Sequence, residues 1–354
     1  MAQRPTVYDV AARAGVSIAT VSFAFSQPER VRKPTLDAVL AAAAALGYVP
    51  NASARGLARG RTGAIGLYSF DYLLEVGPAS AEAPVPTESD ARLFPLYSDE
   101  VQRGVELECR RQGFALMLGA GGRSAPHVPG VVDVAGRVDG LIAFAGVASS
   151  ETLTRIARRV PVIELGGETR AKGARTVHVD NGSGMRGLVE HLVREHGHRR
   201  FAYVGERGNA EFTQRFDGYA EVLTAAGIPV HEPLASKPGA EAATRASVTR
   251  VLDRGELPDV FVCSTDQEAL VVLDVLREAG VDVPGRVAVT GYDGILAARL
   301  SRPALTTVRQ PMEAVGRMAV RTLAARISGR AEPEPGPLPT VPWIHESCGC
   351  RPCA

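Results

Sequence analysis

The chain has 354 residues, of which 45% are apolar and 22% are charged. This length exceeds one ordinary domain and predicts a small module followed by a larger, two-part body. The composition is that of a globular protein with a buried core, which excludes the disordered and fibrous classes. No apolar segment approaches the roughly 20 residues of a membrane span, and no signal sequence opens the chain. We therefore expect a soluble, cytoplasmic protein with no membrane partner.

Charge is unevenly distributed, although the formal net charge is only +1. Up to Arg61, eight basic side chains accompany three acidic ones, and the rest of the chain carries an acidic excess. A basic head on an acidic body predicts that the head alone meets a polyanion such as nucleic acid. A chance fluctuation of charge in a short segment is the alternative.

Residues 1–50 predict three short helices and no strand. A threonine or serine precedes each of the first two helices, where its side chain can cap the helix, and a glycine follows the first and the third. The predicted helices are 6–14, 17–26 and a third that follows Pro34 and stops at Gly47. The apolar side of the third helix is predicted to carry Leu36, Val39, Leu40, Ala43 and Leu46.

The spacing of small and apolar residues in the first two helices predicts a helix-turn-helix. Ala11 lets the two helices cross closely, Gly15 makes the turn, and Val21 packs the second helix onto the first. Such a unit places its second helix in the major groove of DNA. An ordinary helical hairpin is the alternative. The candidate base contacts are Ser17, Ile18, Ala19, Thr20, Ser22 and Phe23.

From Ala64 onward, short apolar runs alternate with amphipathic helices, which is the pattern of parallel α/β sheets. Predicted strands are 64–68, 114–118, 140–144, 160–163, 201–204, 260–263 and 287–290. Predicted helices are 99–111, 185–196, 216–226, 267–279 and 312–327. Residues 75–92 and 331–340 are rich in proline and glycine and predict a loop inserted after the first strand and a surface connection.

Several motifs together resemble the LacI/GalR family of bacterial repressors over almost the whole chain. In the head they are T-V-Y-D-V-A-A-R-A-G-V-S-I-A-T-V-S and L-G-Y-V-P-N-A-S-A-R-G-L. In the body they are V-D-G-L-I, H-V-D-N, E-H-G-H-R-R, R-F-D-G-Y, S-T-D-Q-E-A-L, G-Y-D-G and A-L-T-T-V-R-Q-P. The resemblance implies an all-α helix-turn-helix head and an α/β body of two doubly wound parallel-sheet lobes, like periplasmic sugar-binding proteins.

The resemblance also implies the domain limits and the chain crossings between the lobes. The head is expected at 1–50, a hinge at 51–61, one lobe at 62–163 and 305–330, and the other at 175–303 and 341–354. The crossings are expected near 164–174, 291–305 and 331–340.

Further DNA contacts follow from the resemblance. Residues 51–58 match a hinge helix that enters the minor groove, where Leu57 would wedge between base pairs. An exposed leucine in a linker is the alternative. Phosphate contacts would come from Thr6, Tyr8, Val31, Thr35, Tyr48, Asn51 and Ala54. The chain departs from the family pattern at Phe23, Ser26 and Arg32, so its operator is expected to differ from the common one, while Arg32 can still reach a phosphate.

In the body, the resemblance implies an effector cleft at the strand ends. A carboxylate that accepts and a guanidinium that donates several hydrogen bonds suit a polyhydroxy ligand, which favours a sugar or sugar derivative. Structural charges are the alternative for these groups. Thr265 replaces a frequent asparagine, so the sugar cannot be named. The expected cleft residues are Tyr72, Phe94, Arg215, Thr265, Gln267 and Asp293.

Enzyme, cofactor and metal signals are weak. Residues 118–122 lack the full G-x-G-x-x-G order, and no catalytic loop motif is present. Cys109 and Cys263 lie in apolar segments and are expected in the core. Two further groups could hold a metal, but C-x-C-x-x-C lacks a nearby fourth ligand and the histidine group lacks a zinc spacing, so we expect none. These groups are Cys348, Cys350 and Cys353, and His191, Glu195, His196 and His198.

The sequence therefore predicts a ligand-controlled homodimer that represses transcription at a palindromic operator. No heptad repeat follows Gly329, so we expect no tetramer. Induction and co-repression are opposite signs of one coupling, and both stay open. The alternatives are a small-molecule binding protein and a sugar-processing enzyme, each without specific DNA binding.

Overall fold

The computed structural model describes residues 5–49, 60–70, 96–121, 128–234, 241–330 and 335–350. The chain divides into two compact units, a head up to Thr62 and a body from Gly63. Several predictions lie outside the described residues: the contacts of Asn51, Ala54, Leu57, Tyr72 and Phe94, the insertion 75–92, and Cys353.

The head contains three α-helices, in agreement with the sequence prediction. The first begins after a capping box, in which the Thr6 hydroxyl accepts a hydrogen bond from the Asp9 amide and the Asp9 carboxylate accepts one from the Thr6 amide. Gly15 and Gly47 end the first and third helices in the left-handed conformation that glycine adopts without strain. The helices are α1 Val7–Ala14, α2 Ile18–Ser26 and α3 Lys33–Leu46.

A small apolar core holds the three helices together. Ala11 and Val21 are buried in it, as the helix-turn-helix spacing requires, and they pack with Val10 and Val39. Leu40 was predicted on the same side but is 43% exposed. Leu40 follows Val39 by about 100° around the helix, so it falls at the edge of the buried stripe.

The first lobe of the body is built on a five-stranded parallel sheet in the order β2-β1-β3-β4-β5. Its strands are β1 Ala64–Phe70, β2 Ala115–Gly121, β3 Gly140–Phe144, β4 Val162–Leu165 and β5 Ala174–Val177. The helices of this part are α4 Leu96–Gln112, α5 Val128–Ala135 and α6 Ser150–Ala157, and the later helix α12 Met312–Ile327 packs against α4 and the sheet.

The second lobe is built on a parallel sheet in the order β6-β7-β8. Single bridges from Leu234 to Val204 and from Thr306 to Thr290 continue this sheet at its two edges. Its strands are β6 Phe201–Val204, β7 Val260–Cys263 and β8 Ala288–Thr290, and a short antiparallel pair follows, β9 Thr307–Arg309 and β10 Val341–Trp343. Its helices are α7 Asn181–Arg194, α8 Ala210–Ala225, α9 Glu241–Asp253, α10 Asp266–Glu278 and α11 Leu296–Leu300.

The predicted fold class is confirmed, but two of the expected lobe crossings are wrong. Residues 164–174 were expected to leave the first lobe, yet β4 and β5 pair in one sheet. Residues 305–309 were placed in the first lobe, yet Thr306 bridges to Thr290 and β9 stays with the second. Neither β5 nor β9 has the apolar run of a central strand, so neither could be predicted from its residue pattern. None of the described helices is long and apolar enough to cross a membrane.

Candidate functional site

One face of α2 in the head is exposed and largely apolar. Ile18 and Phe23 are 43% and 40% exposed, and Ala19 and Ser22 beside them are also exposed. The opposite face of α2 is buried through Val21 and Ala24. Since residues four apart lie on the same side of a helix, 18 with 22 and 19 with 23 form one surface. This surface can meet the floor of a DNA groove.

The polar residues at the start of α2 are committed to its cap. The Ser17 hydroxyl accepts a hydrogen bond from the Thr20 amide at 3.1 Å and lies 2.9 Å from the Thr20 hydroxyl. This arrangement fixes both side chains at the end of the helix that would enter the groove first. Each hydroxyl keeps capacity for at least one further hydrogen bond to a base or a phosphate.

Arg30, which the sequence analysis did not single out, lies next to this surface. Its guanidinium is 5.0 Å from the centroid of the Phe23 ring and donates a hydrogen bond to Gln27 Oε1 at 2.7 Å. A cation held over an exposed ring brings positive charge to the apolar face. The signal in the sequence was a basic residue in the turn directly after α2.

The expected phosphate contacts are spread around the head. Thr6 is exposed but its side chain is engaged in the capping box of α1. Tyr8 is 67% exposed, whereas the Tyr48 ring packs against Phe25 with centroids 6.0 Å apart. Arg32 is exposed, and Ser26, Val31 and Thr35 are half-buried.

In the body, Arg215 on α8 lies at the centre of a buried polar network. It is 3% exposed, and its Nε donates to Asn181 Oδ1 at 2.8 Å, while its Nη1 donates to the Ser264 carbonyl at 2.6 Å. The guanidinium also lies 3.9 Å from the centroid of the Tyr292 ring. These contacts hold one flat cation at the carboxyl ends of β6 and β7, where α/β sheets bind ligands.

Asp293 is the acidic partner of Arg215. Its Oδ1 lies 3.5 Å from Arg215 Nη1 and accepts a hydrogen bond from Gln310 Nε2 at 2.6 Å. The backbone φ of Asp293 is 123°, a region that L residues rarely adopt and that recurs at functional sites. Burial raises the pKa of Asp293, Arg215 opposes this, and the neighbouring carboxyl of Asp266 adds to the rise.

Two of the other predicted cleft residues have different surroundings. The Thr265 hydroxyl accepts from the Glu268 amide at 3.2 Å and contacts the Glu268 carboxylate, so it caps α10 in a capping box. Gln267, in the first turn of α10, is half-buried. Its neighbour Asp266 accepts hydrogen bonds from the amides of Gly294 and Ile295 at 2.7 and 2.8 Å, which ties the loop carrying Asp293 to α10.

Sequence reasoning missed two groups that face the Arg215 and Asp293 pair. Burial raises the pKa of Glu211, on the first turn of α8, and Arg215 opposes this. Burial also raises the pKa of Tyr97, on α4 of the first lobe, and the nearby charges of Glu211 and Asp293 add to this rise. The Tyr97 ring packs against Phe144, the last residue of β3, with centroids 6.3 Å apart. Both lobes therefore contribute to one site, and the end of β3 was the sequence signal for its aromatic side.

Comparisons of the sequence with known families and proteins agree with this division. The family described as bacterial regulatory proteins, lacI family, matches residues 6–51, and the periplasmic binding protein-like domain matches residues 189–348. The HTH-type transcriptional regulator CelR of Thermobifida fusca is 33% identical over 355 residues, which cover 98% of each chain. The HTH-type transcriptional repressor PurR of Glaesserella parasuis serovar 5 (strain SH0165) is 30% identical over 340 residues, covering 94% of this chain and 93% of that one.

Solved structures show the same similarity. A transcriptional regulator CelR in complex with cellobiose is 31% identical, with a TM-score of 0.68 over 97% of this chain and 100% of that one. A lac repressor dimer bound to operator and an anti-inducer has a TM-score of 0.78 at 24% identity over 98% of this chain and 99% of that one, which supports the fold alone. The chain therefore belongs to the LacI family of bacterial regulatory proteins, and it is a DNA-binding transcriptional regulator and not an enzyme.

Proposed function

We propose that the chain is a homodimeric repressor that binds a palindromic operator and is controlled by a sugar or sugar derivative bound between the lobes of its body. The exposed apolar face of α2, with Ile18 and Phe23 outward, is the observation that carries the DNA-binding part. Two large apolar side chains are costly to leave in water on so small a unit, and thymine methyl groups in a major groove are suitable partners.

The effector part of the proposal rests on the chemistry of the buried pair. Arg215 offers donors, Asp293 offers acceptors, and Tyr97 and Phe144 supply rings from the opposite lobe. A polyhydroxy ligand presents hydroxyls that donate and accept around apolar C–H faces, which fits such a lining. The similarity to a regulator solved with cellobiose supports the same class of ligand.

The two parts are coupled through conformation. A ligand that contacts Arg215 and Tyr97 together favours one relative position of the lobes, and it shifts the population between DNA-binding and non-binding states by its difference in affinity for them. The hinge at 51–58 is proposed to transmit this change, with Leu57 as a wedge in the minor groove.

Selection of DNA from a random pool by the purified full chain tests the DNA-binding part. We expect a palindrome with two equal half-sites, bound by a dimer, with affinity that falls steeply as salt rises. Leu57→Ala is expected to weaken binding to the selected site more than binding to unrelated DNA. A chain that enriches no sequence, with or without sugars, contradicts the proposal, and equal losses on both DNAs contradict the wedge.

A thermal-shift screen of mono- and disaccharides tests the effector part. We expect at least one sugar to raise the melting temperature of the chain, because a ligand that binds the folded state stabilises it. Asp293→Ala should abolish this shift, while Asp253→Ala, which removes an exposed carboxylate at the end of α9, should leave it unchanged. An unchanged shift in Asp293→Ala rejects the assignment of the cleft.

A further inference from the structure

Four side chains that can bind metal come together at the end of α7, and none of them belongs to the network around Arg215 and Asp293. The donor atoms of His191, His196, Cys348 and Cys350 all lie within 4.8 Å of one another. The two histidines belong to α7 and the residues directly after it, and the two cysteines come from the last described segment of the chain. Cys350 and His196 are 154 positions apart in sequence.

Four of the six distances between the donor atoms are close to the edges of a tetrahedron around zinc. The two histidine Nε2 atoms are 3.2 Å apart, and Cys350 Sγ lies 3.6 Å from His191 Nε2 and 3.4 Å from His196 Nε2. Cys348 Sγ is 3.9 Å from His191 Nε2. Bonds of about 2.0 Å to nitrogen and 2.3 Å to sulfur put neighbouring donors roughly 3.3 to 3.8 Å apart in a tetrahedral site.

The local fold brings the histidines together despite a spacing that a helix would not allow. His191 lies in the last turn of α7, whereas His196 follows the end of the helix at Arg194 and is turned back by Gly197, whose φ is 65°. Residues five apart on a continuous helix point in different directions. The break after α7 therefore makes possible an arrangement that the sequence spacing argued against.

The segment that carries Cys348 and Cys350 is also held in place by hydrogen bonds and packing. Ser347 donates a hydrogen bond to the Val289 carbonyl at 2.5 Å and accepts one from the Thr306 amide at 2.8 Å, which anchors the chain beside β8. Gly349, with a φ of 101°, turns the chain between the two cysteines. Cys348 is 2% exposed and belongs to the core of the second lobe, and Cys350 is half-buried against it.

We propose that His191, His196, Cys348 and Cys350 bind one Zn²⁺ in a closed, structural site. Two thiolates and two imidazoles in a tetrahedron are a preferred set for zinc. Four protein donors leave no open position for a substrate, which argues for a structural role. The expectation that no metal binds here rested on the absence of a fourth ligand near the cysteines in the sequence and on the spacing of the histidines. The folded chain brings two histidines to two of the cysteines, in contacts that span 157 and 154 positions of the sequence.

Such a site would fasten the end of the chain to α7. The segment 345–350 covers the core of the second lobe through Cys348, and a metal bond to His191 and His196 holds it there. Because the donors converge only in the folded chain, the binding free energy of the metal adds to the stability of the folded state.

Metal analysis of the untagged full chain, purified without chelators, is the test. We expect close to one zinc per chain, at least a tenfold lower content in Cys350→Ala, and a similar loss in His196→Asn. Cobalt added to the stripped wild-type chain should give the visible absorption of a tetrahedral site and the thiolate charge-transfer band. Removal of zinc from the wild type by a chelator should lower its melting temperature, and added zinc should restore it.

Matched controls separate the site from general effects of substitution. Cys109→Ala removes a buried thiol from the first lobe, and His231→Asn removes an exposed histidine, so both should keep the full zinc content. Circular dichroism should show that Cys350→Ala and His196→Asn are folded. If either is unfolded, the reversible loss and return of zinc in the wild type decides the question.

Three results would overturn the proposal. One is a wild-type chain that holds less than a tenth of an equivalent of zinc even after incubation with the metal. Another is a zinc content that is the same in folded Cys350→Ala and in the wild type. The third is a thiol titration that finds Cys348 and Cys350 joined in a disulfide in the protein as isolated.

Discussion

In the proposed contact between α2 and DNA, Phe23 limits which bases the centre of the helix can recognise. An arginine there could donate two hydrogen bonds to guanine, whereas a phenylalanine ring offers apolar contact that suits a thymine methyl. Arg30, in the turn after α2, lies over the same ring and brings a positive charge to this face. The selected operator is therefore expected to carry A·T pairs opposite Phe23.

Phe23→Ala should relax the base preference at one position in each half-site. Loss of the methyl contact is expected to reduce discrimination there by about 1 kcal/mol, at the low end of the range for a base contact. The salt dependence of binding should not change, because the ring contacts no phosphate charge. Fluorescence anisotropy with the selected operator and with single-base variants of it, at several salt concentrations, measures both quantities.

Leu40→Ala is the matched control for this experiment. Leu40 on α3 is 43% exposed, close to the 40% of Phe23, but it lies on another helix. It should leave the base preference unchanged. A loss of preference in Leu40→Ala equal to that in Phe23→Ala would show that the effect comes from the stability of the head.

At the residue scale, the sequence predicted which side chains have suitable chemistry better than it predicted what each side chain contacts. Arg215 and Asp293 were named from their motifs, and the structure places them in contact. Thr265 was named for the same site, but its hydroxyl caps α10, because a Ser/Thr-x-x-Glu pattern is satisfied locally before it meets a ligand. Tyr97 was missed because its approach to Asp293 depends on how α4 packs, which no local pattern encodes.

Two glycines set the distance between α4 and α12. A Cβ on Gly104 would overlap the carbonyl oxygen of Glu313, and one on Gly316 would overlap the carbonyl oxygen of Val101. Backbone meets backbone at this crossing, so neither neighbour can move aside as a flexible side chain would.

Gly104→Ala should therefore destabilise the body, although alanine is the better helix former. The gain in helix propensity of about 1 kcal/mol is outweighed by overpacking, and we expect a net loss of about 1–3 kcal/mol in the free energy of unfolding. Chemical denaturation followed by circular dichroism measures it. Gly336→Ala, where nothing lies within 4 Å of the added Cβ, should change stability by less than about 0.5 kcal/mol. Equal stability of Gly104→Ala and the wild type would refute the close crossing.

The same pair of helices carries a buried carboxylate. Glu108 Oε1 on α4 accepts hydrogen bonds from Arg111 Nε and Gln112 Nε2, each at 2.9 Å, and from Arg321 Nε on α12 at 3.2 Å. The hydrogen bonds from Arg111, which has the largest effect, and from Gln112 and Arg321 together lower the pKa of Glu108 from 4.5 to about 2, against the opposing effect of burial. The ionised form is thus the one that the folded state prefers.

Glu108→Gln should cost stability in a pH-dependent way. A depressed pKa in the folded state contributes stability above pH 4.5, and this contribution is lost as the pH falls from 4.5 towards 2. The wild type should exceed Glu108→Gln by about 1–3 kcal/mol at neutral pH, with the difference shrinking over that acid range. Denaturation at several pH values measures it. Glu106→Gln, at an exposed position of α4, should show no such trend, and a constant difference for Glu108→Gln would contradict the assignment.

At the element scale, prediction from sequence succeeded where burial is continuous. The apolar runs of β3, β6 and β7 gave the observed bounds, because a central parallel strand is apolar on both faces. Strand β5, with the sequence A-R-T-V, lies at the edge of its sheet and is mostly half-buried, so its pattern resembles a loop. Strands β9 and β10 were also missed, because each has only three residues and is too short to show an apolar run.

At the scale of the molecule, an ion pair links the two lobes beside the proposed cleft. Arg309 on β9 forms two contacts with the Glu100 carboxylate on α4, at 2.7 and 3.3 Å, and also donates to the Gly294 carbonyl at 2.7 Å. Gly294 directly follows Asp293, the acidic residue of the cleft. A change in the angle between the lobes would therefore move or break a contact next to the proposed ligand-binding residues.

This position predicts that Glu100→Gln alters the coupling between effector and operator. The substitution does not alter the α2 surface of the head, so the base preference of the ligand-free protein should be unchanged. The factor by which the effector changes operator affinity should shift by about 2- to 30-fold, the range typical of residues that modulate coupling. Glu106→Gln on the same helix, which does not contact Arg309 in the structure, should leave that factor as it is.

Because of thermodynamic linkage, this prediction can be tested by titrating either the effector or the operator. If the effector changes operator affinity by a given factor, the operator must change effector affinity by the same factor, in the wild type and in Glu100→Gln alike. Isothermal titration of the effector into the free protein and into its operator complex gives one value, and operator titration with and without effector gives the other. Agreement of the two values, with a shifted factor in Glu100→Gln, supports transmission through the contact between the lobes. An unchanged factor places the transmitting contacts elsewhere, since the ion pair would then be equally populated in both states.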